Sequence, residues 1–195
     1  MPVDAAGLTE DDVAEMSTQQ EFDRYAERYA QMQVVLAEAQ RAVHVGEWSW
    51  IGGDRVPNIG GDGIVPLRGA GPRNSYFLRS DRLWSPAGAT GDPRDLQPMI
   101  DFFGQRDWSY RERTRGRYHE VLADTGTGWH VEYEVQPDGD YGLTVYSGQY
   151  WTNDGHALTE AVGGRNDGEY PEESLPGEYP PFPKWSDPII SPPKT

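Results

Sequence analysis

The strongest constraint on how this chain folds is an apolar stripe near its N-terminus. Its members are spaced alternately three and four residues apart, and they are Phe22, Tyr25, Tyr29, Met32, Leu36, Ala39 and Val43. This spacing places them on one face of an α-helix, which Thr18 and Glu21 open as a capping box and Gly46 closes. A coiled coil is one interpretation, but charge pairs do not continue beside the stripe. We therefore favour a helix that packs on a sheet.

The chain is predicted to have three parts of different composition. Residues 1–17 form an N-terminal arm, with a short helix at about residues 10–16 that begins behind Thr9. Residues 18–160 form a single α+β domain, and residues 161–195 form a Pro-rich acidic tail.

Residues 46–75 are rich in glycine and predict a long surface loop. Short strands are expected within it at 48–51 and 64–67. The Gly-Gly-Asp-Gly sequence at 60–63 lacks the Gly-Lys-Ser/Thr ending of a phosphate-binding loop. We therefore interpret the segment as a flexible connection and not as a nucleotide site.

The region after residue 75 predicts further strands and a second helix. Strands are expected at 75–79, 109–115, 117–124, 129–135 and 141–146, and a helix is expected at 93–103. Asp92 and Pro93 suit the start of that helix, and Gly104 suits its end. Glycines after Asp124 and after Pro137 suit hairpin turns.

The strand pattern also predicts which side chains face inward. In the strand at 129–135, Trp129, Val131, Tyr133 and Val135 alternate with charged residues, so one face of the sheet is expected to be wet. The fold class that follows is α+β. We expect a long N-terminal helix and a shorter helix packed on an antiparallel sheet of about four strands, with a Pro-rich C-terminal tail.

The C-terminal tail holds half of the sixteen prolines and interleaves them with Tyr179, Phe182 and Trp185. Such a segment either lies in a groove on its own domain or docks on a partner as polyproline II. We favour docking on its own domain, because Phe182, Trp185, Ile189 and Ile190 would be costly to leave in water.

The charge of the chain is strongly negative and unevenly distributed. Acidic residues number 32 against 17 basic ones, a formal net charge of −15. Residues 1–45 carry 9 acids against 3 bases and residues 151–195 carry 8 against 3, whereas residues 46–105 are nearly balanced at 7 against 6. This charge argues against nucleic-acid binding. It suits either an ordinary acidic soluble protein or an acidic surface that binds a basic protein.

The sequence excludes several classes of chemistry. It has no cysteine, and therefore no disulfide, thiolate nucleophile or cysteine-ligated metal. No run of about 18 apolar residues is present, so no membrane-spanning helix is expected. The first twenty residues lack the basic and apolar regions of a signal peptide. This predicts a cytoplasmic protein as the sequence stands, or a cell-envelope protein if a signal sequence has been removed.

Catalytic and metal-binding motifs are missing from the sequence as well. His44, His119, His130 and His156 form no ligand motif, and Gly-x-Ser-x-Gly does not occur. We expect His119 to lie opposite about residue 133 on the next strand and interpret it, with His130, as a surface residue. No catalytic residue, metal or cofactor is predicted. A small hydrolase that uses His119 or His130 stays an alternative.

Two groups of side chains are candidates for binding. The first group consists of alternating arginines that share one face of a strand, namely Arg111, Arg113 and Arg115. Three interpretations of this group are open: it binds an acidic group, it protects a sheet edge, or it receives the acidic tail. The second group suits a recognition surface, and its members are Trp48, Trp50, Tyr146, Gln149, Tyr150 and Trp151. The alternative for residues 147–151 is a strand end that packs on the N-terminal helix.

The order of the aromatic motifs resembles a known family. Tyr25, Tyr29 and Met32 precede a Gly-Glu-Trp sequence at 46–48, and a Ser-Gly-Gln-Tyr-Trp sequence at 147–151 closes the last strand. Over residues 20–152 this order resembles the small actinobacterial LppA-type lipoproteins. The resemblance implies a cell-envelope ligand-binding domain and assigns no catalytic residues. Members of that family carry an N-terminal signal and a lipidated cysteine, and this sequence shows neither.

Charge, aromatic content and the missing catalytic motifs favour a non-enzymatic acidic binding protein. The expected partner is a protein with a basic surface, such as a secreted toxin, which makes an immunity or inhibitor protein the leading hypothesis. The alternative is the envelope-associated, lipoprotein-like ligand-binding domain, and the second alternative is the small hydrolase.

Overall fold

The computed structural model describes residues 1–61, 63–166 and 169–190. One residue of the predicted glycine-rich loop, Asp62, and residues 167–168 and 191–195 of the predicted tail lie outside the described residues.

Helices and strands alternate irregularly along the chain. The α-helices of the described residues are α1 (Glu10–Val13), α2 (Thr18–Val43), α3 (Gln97–Gln105) and α4 (Gly155–Gly163), and a 3-10 turn, Pro93–Leu96, leads into α3. The strands are β1 (Trp48–Gly52), β2 (Asn58–Ile59), β3 (Ser75–Phe77), β4 (Arg79–Trp84), β5 (Ser109–Arg115), β6 (Tyr118–Asp124), β7 (Trp129–Val135), β8 (Tyr141–Ser147), β9 (Tyr150–Trp151) and β10 (Glu173–Ser174).

The strands form two antiparallel sheets. Seven strands build the larger sheet in the order β10-β1-β4-β8-β7-β6-β5, and β3 lies between β2 and β9 in the smaller one. The α+β class and the antiparallel pairing are confirmed. The expected sheet of about four strands is wrong, because β4 lacks an apolar period and β10 is too short to show one. Helix α4 was not predicted either.

The strands that the sequence did not reveal are charged or very short. The inward side chains of β4 include Ser80 and Arg82, which are polar but buried, so the strand lacks the apolar alternation of a half-buried strand. β10 has only two residues, lies within the Pro-rich tail and pairs with Trp48 and Ser49 of β1. Pairing with distant partners, and not local sequence, creates both strands.

The apolar stripe forms the buried face of α2, as predicted. Its first six members are at most 2 % exposed. The helix starts one residue early, because the capping box is formed by Ser17 and Gln20, with the Ser17 N–H donating to Gln20 Oε1 at 2.8 Å, and not by Thr18 and Glu21. Glu21 is instead buried and accepts a hydrogen bond from the Thr152 hydroxyl at 2.8 Å.

Other boundaries differ from the prediction by small amounts. Helix α2 ends with His44 as its C-cap and not at Gly46, since the His44 N–H still reaches the previous turn at 2.8 Å. The helix expected at 93–103 begins as the 3-10 turn and continues past Gly104. Residues 64–67 are an irregular loop and not a strand.

Helices α2 and α3 pack on one face of the larger sheet and build the core there. Along β7 the inward side chains, including Val131 and Tyr133, are buried, while His130, Glu132 and Glu134 are half-buried on the opposite face. The predicted alternation of this strand is confirmed. The face opposite the helices, called the outer face below, therefore carries the polar side chains.

The Pro-rich tail lies against α2. The ring of Phe182 lies 5.4 Å from Phe22, 5.7 Å from Tyr25 and 5.2 Å from Tyr29, measured between centroids. Trp185 lies 5.4 Å from Phe22. The tail thus docks on its own domain and shields the aromatic residues of the helix from water.

A buried polar network holds the loop that follows β1. The Asp54 carboxylate accepts hydrogen bonds from Arg82 at 3.2 and 3.0 Å, from the Ser80 hydroxyl at 2.6 Å and from the Gln33 amide at 2.7 Å. The Asp54 and Arg82 side chains are 0 % and 2 % exposed. The Trp50 ring covers the guanidinium at 3.4 Å. The network ties the loop to α2 and β4.

Candidate functional site

Strand β1 places the two predicted tryptophans within the fold. Trp48 is fully buried, and its indole N–H donates to the backbone oxygen of His44 at 3.0 Å. Trp50 is half-buried between the Arg82 guanidinium and Tyr170, whose ring lies 5.0 Å away. Both side chains have packing partners, and contact with a binding partner stays a prediction for them.

The residues at the end of β8 and in β9 also pack inward. Gln149 is buried and donates its amide to the backbone oxygen of Gly60 at 2.9 Å, which holds the glycine-rich loop. The Tyr150 ring faces the Arg28 guanidinium of α2 at 3.7 Å, and Trp151 is 2 % exposed. This arrangement matches the alternative interpretation, in which the strand end packs on the N-terminal helix. A binding role for the three residues stays a prediction.

Tyr146 of β8 and Arg111 of β5 lie on the outer face, with two strands between them. They line a groove of about 280 Å³ that loop residues 64–65 border on one side. His130 stacks on Tyr146 with ring centroids 5.1 Å apart, because the two residues are cross-strand partners. On its other side His130 pairs with Asp124. A cation, a carboxylate, an imidazole and an apolar wall converge here, which suits a ligand with polar and apolar parts.

His130 is half-buried in this groove, whereas the sequence favours a surface histidine and leaves a hydrolase role as the alternative. Burial lowers its pKa from 6.5, and the attraction of Asp124 opposes this shift only in part. In the unfolded chain His130 therefore takes up a proton at a higher pH than in the folded protein. Stability is expected to fall as the pH drops from about 6.5 through the folded pKa.

An NMR titration of the histidine ring protons measures this shift directly, and we expect a His130 pKa below 6.5. The His130→Gln variant is expected to lose this part of the pH dependence of unfolding. A measured His130 pKa above the ordinary value would contradict the burial argument.

Arg113 and Arg115 lie beside the groove on β5. Both pair with Glu120 of β6, which is 2 % exposed, and the Arg115 contact measures 3.4 Å. Because β5 ends the sheet, these arginines line an edge strand, one of the interpretations that the sequence left open. The described part of the tail reaches the opposite edge, through β10.

The two histidines considered for catalysis do not meet. The Thr125 N–H donates to the Trp129 oxygen at 3.0 Å and closes the hairpin turn, so His119 lies opposite Val135 and not residue 133 as predicted. His119 is therefore far along the hairpin from His130. Among the described residues, no group of three or more His, Asp or Glu is placed to hold a metal ion. The helices of the same residues are too short or too polar to cross a membrane.

Helix α2 and the acidic tail lie side by side. Arg41 of α2 donates to the backbone oxygen of Pro176 at 2.9 Å, in addition to the aromatic contacts of the tail. Exposed carboxylates of α2 and of the tail form what we call the acidic side, and they are Asp23, Glu27, Glu172, Glu173 and Glu178. The arginine-bearing strand β5 is at the far end of the strand order. The fold therefore separates an acidic side from a basic edge.

Comparison with known proteins adds no assignment to this geometry. The resemblance to LppA-type lipoproteins stays a prediction, since neither family models, nor curated proteins, nor solved structures give a match to the chain.

Proposed function

We propose that the protein is a non-enzymatic acidic binding protein that captures a basic protein partner, as immunity and inhibitor proteins do. The observation that supports this most is the acidic side, because its exposed carboxylates lie on α2 and on the tail, two segments that are folded against each other. Clustered carboxylates produce a stronger local potential than the same charges spread over the surface.

The acidic side has the properties of an electrostatic docking surface. Asp23 and Glu27 are one turn apart on the exposed face of α2, and the tail, whose residues 179–185 pack on the same helix, carries further exposed carboxylates. Long-range attraction of this kind raises the association rate at low ionic strength and is screened within about 10 Å at 0.1 M salt. The arginine edge repels the same partner and so helps to orient it.

The direct test captures the partner and measures its activity. The full chain is immobilised, the lysate of the native host is applied at low salt, and bound proteins are eluted with a salt gradient. We expect a basic protein whose own activity falls when this protein is added in excess. Retained basic proteins that keep full activity would contradict the inhibitor assignment.

Charge reversal on the acidic side gives a quantitative prediction. Glu27→Lys is expected to slow association with the captured protein by about threefold at low salt, because it weakens the steering field where the partner approaches. Stopped-flow measurement at ionic strengths of about 0.01 M and 0.15 M checks this and should show the difference shrinking at the higher value.

Glu112→Lys is the matched control for that experiment. Glu112 is also exposed, and its reversal changes the net charge equally, but it lies on β5 at the opposite end of the sheet. Equal slowing by both variants would show that net charge, and not the acidic side, controls association.

The groove at Arg111 and Tyr146 supports a second candidate, the envelope-associated ligand-binding domain that the resemblance implied. Its mixed polar and apolar lining and its volume of about 280 Å³ suit a small ligand. The DNA sequence upstream of the gene provides the test. A signal sequence with a lipid-accepting cysteine in frame would support this candidate, and its absence would remove it.

A further inference from the structure

A second cavity opens beside the C-terminal end of α2, away from the outer-face groove. It measures about 390 Å³ and lies between the loop after β4, the 3-10 turn and strands β7 and β8. Its walls include Trp84, Tyr133 and Tyr141, and its rim includes Asp95. Its size is that of a site for a small molecule or one long side chain.

The aromatic walls of the cavity are held at right angles to one another. The Trp84 and Tyr141 rings have centroids 6.4 Å apart and an interplanar angle of 81°, and the Tyr133 and Tyr141 rings have 6.3 Å and 89°. His44 stacks on Trp84 at 4.5 Å and fixes its plane. Perpendicular aromatic walls of this kind attract a cation placed over a ring face.

The polar groups of the cavity are acceptors and protonated hydroxyls. Tyr141 donates its hydroxyl proton to the Asp95 carboxylate and accepts a hydrogen bond from the Gly91 N–H at 3.2 Å. Burial raises the pKa of Tyr141 to about 12, so this hydroxyl keeps its proton at neutral pH. The remaining capacity of the Asp95 carboxylate is available to a donor at the rim.

Tyr133 supplies an independent sign that the cavity receives a ligand. Its side chain is 0 % exposed, and its hydroxyl has no hydrogen-bond partner among the residues that the structure describes. A buried hydroxyl without a partner is destabilising, so such groups are rare unless a bound molecule or water satisfies them.

Carboxylates outnumber cations in and around the cavity. Asp95 and Arg94 are the charged residues of its lining, and the adjoining segments 85–98 and 136–141 add Asp92, Asp138 and Asp140. Arg94 is bound by the Asp92 carboxylate at 2.5 Å. A positively charged group is therefore attracted at the entrance and meets a carboxylate and aromatic faces inside.

We propose that this cavity binds an organic cation, namely a guanidinium or alkylammonium group. Asp95 pairs with the charge, the Trp84 and Tyr141 faces cover it, and the Tyr133 hydroxyl oxygen accepts a hydrogen bond from an N–H of the ligand. An arginine or lysine side chain of the basic partner supplies such a group, and this source rests on the proposed function. Binding of the cation itself does not depend on it.

The test uses ethylguanidinium with ethylurea as its uncharged analogue of the same shape. NMR of the full chain, labelled with ¹⁵N, follows the indole N–H of Trp84 up to about 50 mM ligand. We expect a saturable shift with ethylguanidinium and at least about tenfold weaker binding of ethylurea. Equal binding of the two, or no saturable shift with either, would overturn the proposal.

Variants locate the binding within the cavity. Asp95→Asn keeps the shape of the side chain, and we expect it to weaken ethylguanidinium binding about tenfold. Asp101→Asn, an exposed carboxylate on α3 that does not line the cavity, is the control and should leave the affinity unchanged. Unchanged affinity in Asp95→Asn would contradict the assignment, provided that its amide spectrum shows the native fold.

The last arm separates this proposal from the proposed function. Acetyl-arginine amide carries the guanidinium on a protein-like backbone, so its binding supports a side-chain source, whereas binding of ethylguanidinium alone assigns the site to a small free cation. If the cations bind while Glu27→Lys and Glu112→Lys slow partner association equally, the cavity stands and the acidic-side proposal fails. If no cation binds while Glu27→Lys slows association more than Glu112→Lys, the acidic-side proposal stands and the cavity proposal fails.

Discussion

Replacing Asp54 with alanine is expected to lower the free energy of unfolding by about 3–5 kcal/mol. The carboxylate is 0 % exposed and is the acceptor for Arg82, Ser80 and Gln33 together. Its removal leaves the Arg82 guanidinium buried without a counter-charge, in contact with the Trp50 ring and with the neutral oxygens of the Ser80 hydroxyl and the Asp81 backbone. Such a charge costs far more than the lost hydrogen bonds alone, because the interior cannot solvate it.

Urea denaturation followed by tryptophan fluorescence measures this loss. Asp81→Ala is the matched control: Asp81 also pairs with an arginine, but the side chains of Asp81 and Arg79 are 19 % and 44 % exposed. Water replaces much of that interaction, so a loss of at most about 1 kcal/mol is expected.

A second variant covers the case in which Asp54→Ala does not fold. Asp54→Ala combined with Arg82→Met removes both buried charges and should recover a large part of the lost stability. Equal losses in Asp54→Ala and Asp81→Ala would show that the buried network does not hold the loop as described.

The parts of the fold that the sequence predicted are those with a long, local pattern. The stripe of α2 and the alternation of β7 extend over several turns or residue pairs, so burial of one face dictates both. Strand β4 was not predicted because its inward residue Arg82 is charged, and the counter-charge that allows its burial, Asp54, is 28 positions away. A partner that distant leaves no trace in the local hydrophobic period.

The binding surfaces were predictable to a smaller extent. The sequence identifies the aromatic residues near Gln149 and Trp151 as candidates for a recognition surface. Whether they are buried or exposed depends on which elements fold over them, and the local sequence does not show this. Tyr146 and Arg111 line one groove only because the strand register from β5 to β8 places them on the same face, and one residue of slip would move either to the other face. The cavity beside α2 assembles side chains from separate elements, which no sequence spacing reveals.

Removing the aromatic anchors of the tail is expected to have the second large effect on stability. In the Phe182→Ala/Trp185→Ala variant, the half-buried rings no longer cover Phe22 and Tyr25, which are each 1 % exposed in the intact protein. Full burial of such rings is worth about 3–5 kcal/mol each; half-burial and their shared contact with Phe22 reduce the expected total to about 3 kcal/mol. Urea denaturation measures it.

The same variant tests whether the tail is part of the folded domain or an independent arm. Leu175→Ala is the control, because Leu175 belongs to the tail but is 41 % exposed, and its loss should change stability by less than about 0.5 kcal/mol. If the tail is integral, the double variant also binds the dye ANS through the uncovered aromatic face of α2. It also loosens the contact between the two halves of the acidic side, so its association with the basic partner should slow as well. A double variant with the wild-type unfolding midpoint and no dye binding would mean that the acidic side is not held together by these rings.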